Sequence, residues 1–213
     1  MFLCAVVLAE EVLIALEWSA VVLNIGFTLA LTYGRRWGWV LGFFAGSIGV
    51  LLYALKHTWA MSVLNGYYVV MAVYGWWSWG RSEEDGGFAR KPWPVHAGIV
   101  PAGTLLVVLM AWTLGRYLDG TFPQLDAFVT VFSFAATWMM ARKWVENWLY
   151  FIVADAVAVY FNWRIGYNAY ALLNIVYLGL SAAGYVRWSR AYARQSSDPI
   201  KEPGAYPGAP PRS

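Results

Sequence analysis

Between Arg142 and Trp163 the chain reads RKWVENWLYFIVADAVAVYFNW. Two carboxylates, two amides and a set of aromatic rings stand in a stretch apolar enough to cross a membrane. With 3.6 residues per turn, Trp144, Asn147, Trp148, Phe151, Asp155, Ala158 and Asn162 share about a third of the circumference of one helix. Asp155 lies about 16 Å along the axis from Trp144, near the middle of a roughly 30 Å hydrocarbon core. A carboxylate facing lipid at that depth costs about 2.5–3.5 kcal/mol, so Asp155 must face protein or water. It either hydrogen-bonds a neighbouring helix or anchors a polar substrate, and the rings on its own face favour the second role. Aromatic faces beside a carboxylate suit a planar cation, through cation-π attraction together with charge pairing. Glu146 points to the opposite side, near Arg142 and Lys143, as part of an interfacial charge cluster.

Two further stripes carry amides and phenols. One is Tyr170, Asn174, Tyr177, Ser181, Gly184 and Trp188; the other is Met61, Asn65, Tyr68, Ala72, Gly75 and Trp79. Asn and Tyr can hydrogen-bond a hydroxylated ligand or clamp one helix to another, a bond worth about 0.6 kcal/mol on average in membranes. The substrate-binding candidates are therefore Trp148, Phe151, Asp155, Asn147, Asn174, Tyr177, Asn65 and Tyr68. Gly38, Gly42 and Gly46 form a Gly-xxx-Gly-xxx-Gly run, which predicts a tight helix contact rather than a binding surface.

The elements that must position these residues follow from composition. Of 213 residues, 60% are hydrophobic and 13% charged. A soluble domain carries about a quarter charged residues, so the solvent here is lipid. Seven segments are long and apolar enough to span, or nearly so: 12–33, 38–55, 60–80, 95–115, 125–141, 144–163 and 167–188. The apolar N-terminus lacks a basic region and a cleavage site and is expected to lead into the first span. The proline-rich stretch 189–213 is expected to be a disordered cytoplasmic tail.

Lys and Arg fall unevenly on alternate sides of these spans. Lys56, Arg116 and Arg164 lie on one side, and the other 12 of the 15 cations lie on the opposite side. The positive-inside rule then places the N-terminus outside and the C-terminus in the cytoplasm. The same distribution accounts for the net charge of +3 without a nucleic-acid partner.

Spans three and seven share a pattern. Asn65, Tyr68, Gly75, Trp79 and Arg81 correspond to Asn174, Tyr177, Gly184, Trp188 and Arg190 at a constant offset of 109 residues. The same offset sets Trp39 on Trp148 and Glu17 on Asp126. A duplicated three-helix unit repeated in parallel needs one intervening span, and 95–115 supplies it. The predicted fold is an all-α membrane protein of seven helices in a 3+1+3 arrangement: a bundle over 12–80, a linker helix over 95–115 and a bundle over 125–188. Parallel repeats of this kind recur in transporters, with the substrate site near the midplane between the halves.

The R-K-x-x-E-N-W run from Arg142 to Trp148, supported by Y-G-W-x-x-W from Tyr74 to Trp79, resembles the Pnu family of bacterial vitamin transporters, whose best-known members take up nicotinamide riboside. The resemblance extends from the end of span three to YNAYALLNIVYL. It implies a fold similar to a full-length SWEET transporter, a pocket between two triple-helix bundles, and passive uptake across the bacterial inner membrane with trapping by phosphorylation. The riboside transporters carry W-x-x-W after E-N and an Asn four residues later. This chain keeps Trp148 but has Phe151 and Asp155 at the other two places. Phe still stacks on a heteroaromatic ring and Asp favours a cation, so nicotinamide riboside is the first expected substrate and thiamine the alternative. Proton coupling through Asp155 is a weaker expectation, because no basic partner stands at membrane depth.

An enzyme is not expected, nor a cofactor or a metal. The one thiol, Cys4, and the histidines His57 and His96 form neither a ligand cluster nor a nucleophile with its base. Lipid and a small vitamin are the expected partners, and a homo-oligomer is allowed.

Overall fold

The computed structural model describes residues 2–55, 59–85, 87–117, 122–164, 166 and 168–197. Among them are seven helices: α1 (Phe2–Thr32), α2 (Gly38–Leu55), α3 (Trp59–Asp85), α4 (Trp93–Tyr117), α5 (Pro123–Ala141), α6 (Asn147–Arg164) and α7 (Asn168–Ser196). His57 and the tail from 198 onward lie outside the described residues, as do the side chains of Cys4, Met61 and Tyr170. The predicted tail does not begin at 189, because α7 runs on to Ser196. Its added turns are anchored: Tyr192 packs on the core, and Gln195 Oε1 accepts the Phe88 backbone N–H at 3.0 Å.

Neighbouring helices pack in two sets, α2 against α1 and α3, and α6 against α5 and α7. Helix α4 lies on α5, while α1 meets α7 and α3 meets α5 across the middle. The 109-residue offset maps these two cross-contacts onto each other.

The repeat is written in the backbone as well. Gly34 N–H donates to Leu31 O and Arg35 N–H to Ala30 O, and Lys143 N–H donates to Met140 O and Trp144 N–H to Met139 O in the second half. Gly34 (φ 67°) and Lys143 (φ 57°) take the left-handed conformation that turns the chain after a helix. Glycine does so freely, while lysine is an uncommon occupant. Helix α6 consequently starts at Asn147, not 144, and Trp144 sits in the turn. There Ala89 N–H donates to Lys143 O (3.0 Å) and Val145 N–H to Ala89 O (2.9 Å), which ties the α3–α4 segment to the second half.

Four buried tryptophans join the halves. Trp39 and Trp79 meet edge-on at 5.9 Å, Trp148 and Trp188 at 5.2 Å, and Trp79 and Trp188 lie 5.8 Å apart. Gly75 and Gly184 make room for them, since a Cβ on either would overlap the ring of Trp39 or Trp148. Trp79 Nε1–H donates to Met140 O (3.2 Å) and Trp188 Nε1–H to Leu31 O (3.0 Å). Each half thus adds a second donor to a carbonyl in the last turn of the other half's first helix, beside the Lys143 N–H on Met140 O and the Gly34 N–H on Leu31 O.

Among the described residues, segments of α1 (Glu11–Thr32), α2 and α4 are apolar and long enough to cross a membrane on composition alone. The outer face of α4 carries exposed Leu105, Leu106, Val108, Leu109 and Trp112. Helices α3, α6 and α7 are less apolar: α3 and α7 end in charged turns, and all three carry amides and phenols.

Candidate binding cavity between the two halves

A cavity of about 320 Å³ lies where the two sets of helices face each other. Such a volume falls within the range of small-molecule sites. Its walls come in repeat-related pairs: Trp39 and Trp148, Asn65 and Asn174, Tyr68 and Tyr177, Thr28 and Thr137, Asn24 and Ser133. The threonines even bond alike, Thr28 Oγ1–H to Asn24 O at 3.1 Å and Thr137 Oγ1–H to Ser133 O at 2.8 Å. This frame pairs like residues at the 109-residue offset.

Three lining pairs break the symmetry. Gly42 stands opposite Phe151, Gly46 opposite Asp155, and Ala72 opposite Ser181. The Ser181 hydroxyl donates to Asp155 Oδ2 at 3.1 Å, across from α7 to α6. Gly46 and Ala72 can make no such bond. The Asp155 carboxyl group and its hydroxyl partner therefore belong to the second half alone.

Of the residues singled out in sequence, Trp148, Phe151, Asp155, Asn174, Tyr177, Asn65 and Tyr68 converge on this cavity. Asn147 does not. It is fully buried at the start of α6, where its Nδ2–H donates to Trp144 O, because the turn before α6 rotates it toward the backbone. Asn162 likewise bonds within its own helix, to Ala158 O at 2.9 Å. Glu146 Oε2 accepts the Lys91 N–H at 3.3 Å, which ties the α3–α4 segment to the head of α6.

Sequence reasoning missed the walls supplied by α1 and α5: Asn24, Phe27 and Thr28, and Val129, Ser133, Thr137 and Met140. The offset would have paired Thr28 with Thr137, yet both helices read as plain spans. Gly42 and Gly46 serve two purposes. They admit close packing, since a Cβ on Gly42 would come within 2.8 Å of the Phe27 ring and one on Gly46 within 2.9 Å of Val69, and they also line the cavity.

An aromatic-walled, partly polar cavity within a set of helices, three of them long and apolar enough to cross a membrane, is the arrangement of a membrane carrier of small organic molecules. Residues 14–190 match the family described as nicotinamide mononucleotide transporter, and the chain belongs to that family of PnuC-like vitamin transporters. It is 29% identical over 196 residues to the riboflavin/roseoflavin transporter RibM of Streptomyces davaonensis, covering 87% of this chain and 90% of that one. It is 23% identical over 190 residues to the nicotinamide riboside transporter PnuC of Escherichia coli, covering 74% and 80%. The solved structure of the vitamin B3 transporter PnuC has the same fold, with a TM-score of 0.69 at 19% identity over 89% of this chain and 87% of that one.

Proposed function

We propose that the chain carries nicotinamide riboside into the bacterial cell by facilitated diffusion, through the cavity between its halves. All seven helices span the inner membrane in this reading. Helices α1–α3 and α5–α7 form two triple-helix bundles, α4 links them, and the C-terminus faces the cytoplasm. Phosphorylation of the vitamin inside the cell keeps it there. The single observation carrying the choice of substrate is the Asp155–Ser181 pair, a carboxylate set among aromatic rings. The pyridinium of nicotinamide riboside is flat and cationic, so Trp148 and Phe151 can stack on it while Asp155 meets its charge or a ribose hydroxyl. Asn65, Asn174, Tyr68 and Tyr177 supply hydrogen bonds to the sugar and the amide.

The similarity to RibM favours a second substrate, riboflavin, whose flat ring and hydroxylated chain suit the same walls. There Asp155 would accept from chain hydroxyls. Thiamine, the other ring cation, lacks a sugar for the amides to hold. Calorimetric titration of the purified protein with the three vitamins tests the proposal. Saturable binding of nicotinamide riboside with at least tenfold loss in Asp155→Asn supports it, and binding of riboflavin alone moves the assignment to that vitamin.

A further inference from the structure

We propose that Phe27 of α1 is a substrate-contacting residue that closes on the vitamin ring from the first half, as the counterpart of Phe151. This rests on the reading of the cavity as a vitamin site. The repeat offset does not relate the two phenylalanines: Phe151 falls on Gly42, and Phe27 falls on Ala136. Each half therefore holds one Phe and one small residue, in opposite order.

The structure shows why the exchange preserves the wall. A side chain built on Gly42 would begin 2.8 Å from the Phe27 ring, so Phe27 already fills the space that a residue 42 side chain would take. In the second half Phe151 stands at the position of Gly42, and Ala136, at the position of Phe27, is fully buried. Each ring keeps company with its own tryptophan, Phe27 with Trp39 at 5.4 Å and Phe151 with Trp148 at 6.3 Å, and both line the cavity. The aromatic lining is thus two-fold where the sequence is not. A flat ring entering the cavity meets an aromatic face from each half, and stacking on each face strengthens binding.

The test compares wild type with Phe27→Ala, Phe27→Leu and the double change Phe27→Ala with Gly42→Phe, which rebuilds in the first half the arrangement Ala136 and Phe151 make in the second. Binding of nicotinamide riboside, riboflavin and thiamine is titrated, and melting in detergent reports folding. We expect about tenfold weaker binding in Phe27→Ala, a smaller loss in Phe27→Leu, and recovery in the double variant. Wild type that binds while folded Phe27→Ala or Phe27→Leu binds equally well overturns the clamp and leaves the transport reading standing. Wild type that takes none of the three vitamins overturns both.

Discussion

The Ser181 hydroxyl donates to Asp155 Oδ2 at 3.1 Å, and the same two positions in the first half are Ala72 and Gly46. The carboxyl group of the cavity therefore stands on one side only, between α6 and α7. In the proposed reading, a ligand with one charged and one neutral end takes a single favoured orientation in it, with the positive or hydroxyl-bearing group toward α6 and α7.

Removing that charge separates the substrates. Asp155→Asn keeps the shape and a hydrogen-bonding oxygen but loses the attraction for a cation. We expect at least tenfold weaker binding of nicotinamide riboside and under threefold change for riboflavin, read by titration calorimetry. Equal losses for both vitamins would mean that Asp155 acts through hydrogen bonds alone.

The two tryptophan-bearing glycines should be intolerant of any side chain. In Gly184→Ala the added methyl overlaps the Trp148 indole, and in Gly75→Ala it overlaps that of Trp39. Overpacking of this kind costs about 1–3 kcal/mol, so both variants should melt earlier in detergent. Gly179→Ala, on the same helix with nothing within 4 Å, should match or exceed wild type.

The reciprocal indole bonds across the halves should be coupled. Trp79→Phe removes the indole donor to Met140 O and leaves it the Lys143 N–H, and Trp188→Phe does the same at Leu31 O, which keeps the Gly34 N–H. Each loss costs about 0.5–1.5 kcal/mol. Because the two indoles lie 5.8 Å apart, the double variant should depart from the sum of the singles. Melting of all four proteins reads this, and strict additivity would show the two bonds to be independent.

Orientation has its own test. Cations and aromatics interleave around the two repeat-related turns: Arg187 sits 3.8 Å above Tyr33, Arg36 4.0 Å from Trp76, and Arg142 4.4 Å from Trp138. Positive charge gathered there favours the cytoplasmic side. A fluorescent reporter fused at the C-terminus should light up inside the cell, and a reporter active only in the periplasm should stay silent there.

Much of this was legible in the sequence because helical spacing preserves faces. The stripe from Trp148 through Phe151 to Asp155, and the matching Asn–Tyr–Gly–Trp series of α3 and α7, needed only 3.6 residues per turn and a constant offset. Phe27 was invisible for a physical reason. Filled space can be supplied from different helices, so the ring stands on α6 in one half and on α1 in the other, without a positional match. Asn147 misled because a turn with Lys143 in the left-handed region precedes it, and periodicity cannot see where a helix begins. The end of α7 was misplaced because its last turns are polar, yet Gln195 and Tyr192 hold them against the rest of the protein.

The most direct measurement of the central claim is exchange of labelled nicotinamide riboside in proteoliposomes loaded with the unlabelled vitamin, for wild type and Phe151→Ala. The account predicts saturable exchange that is indifferent to a collapsed pH gradient and falls about tenfold or more in the variant. Exchange no faster than in empty liposomes, with riboflavin equally inert, would contradict it.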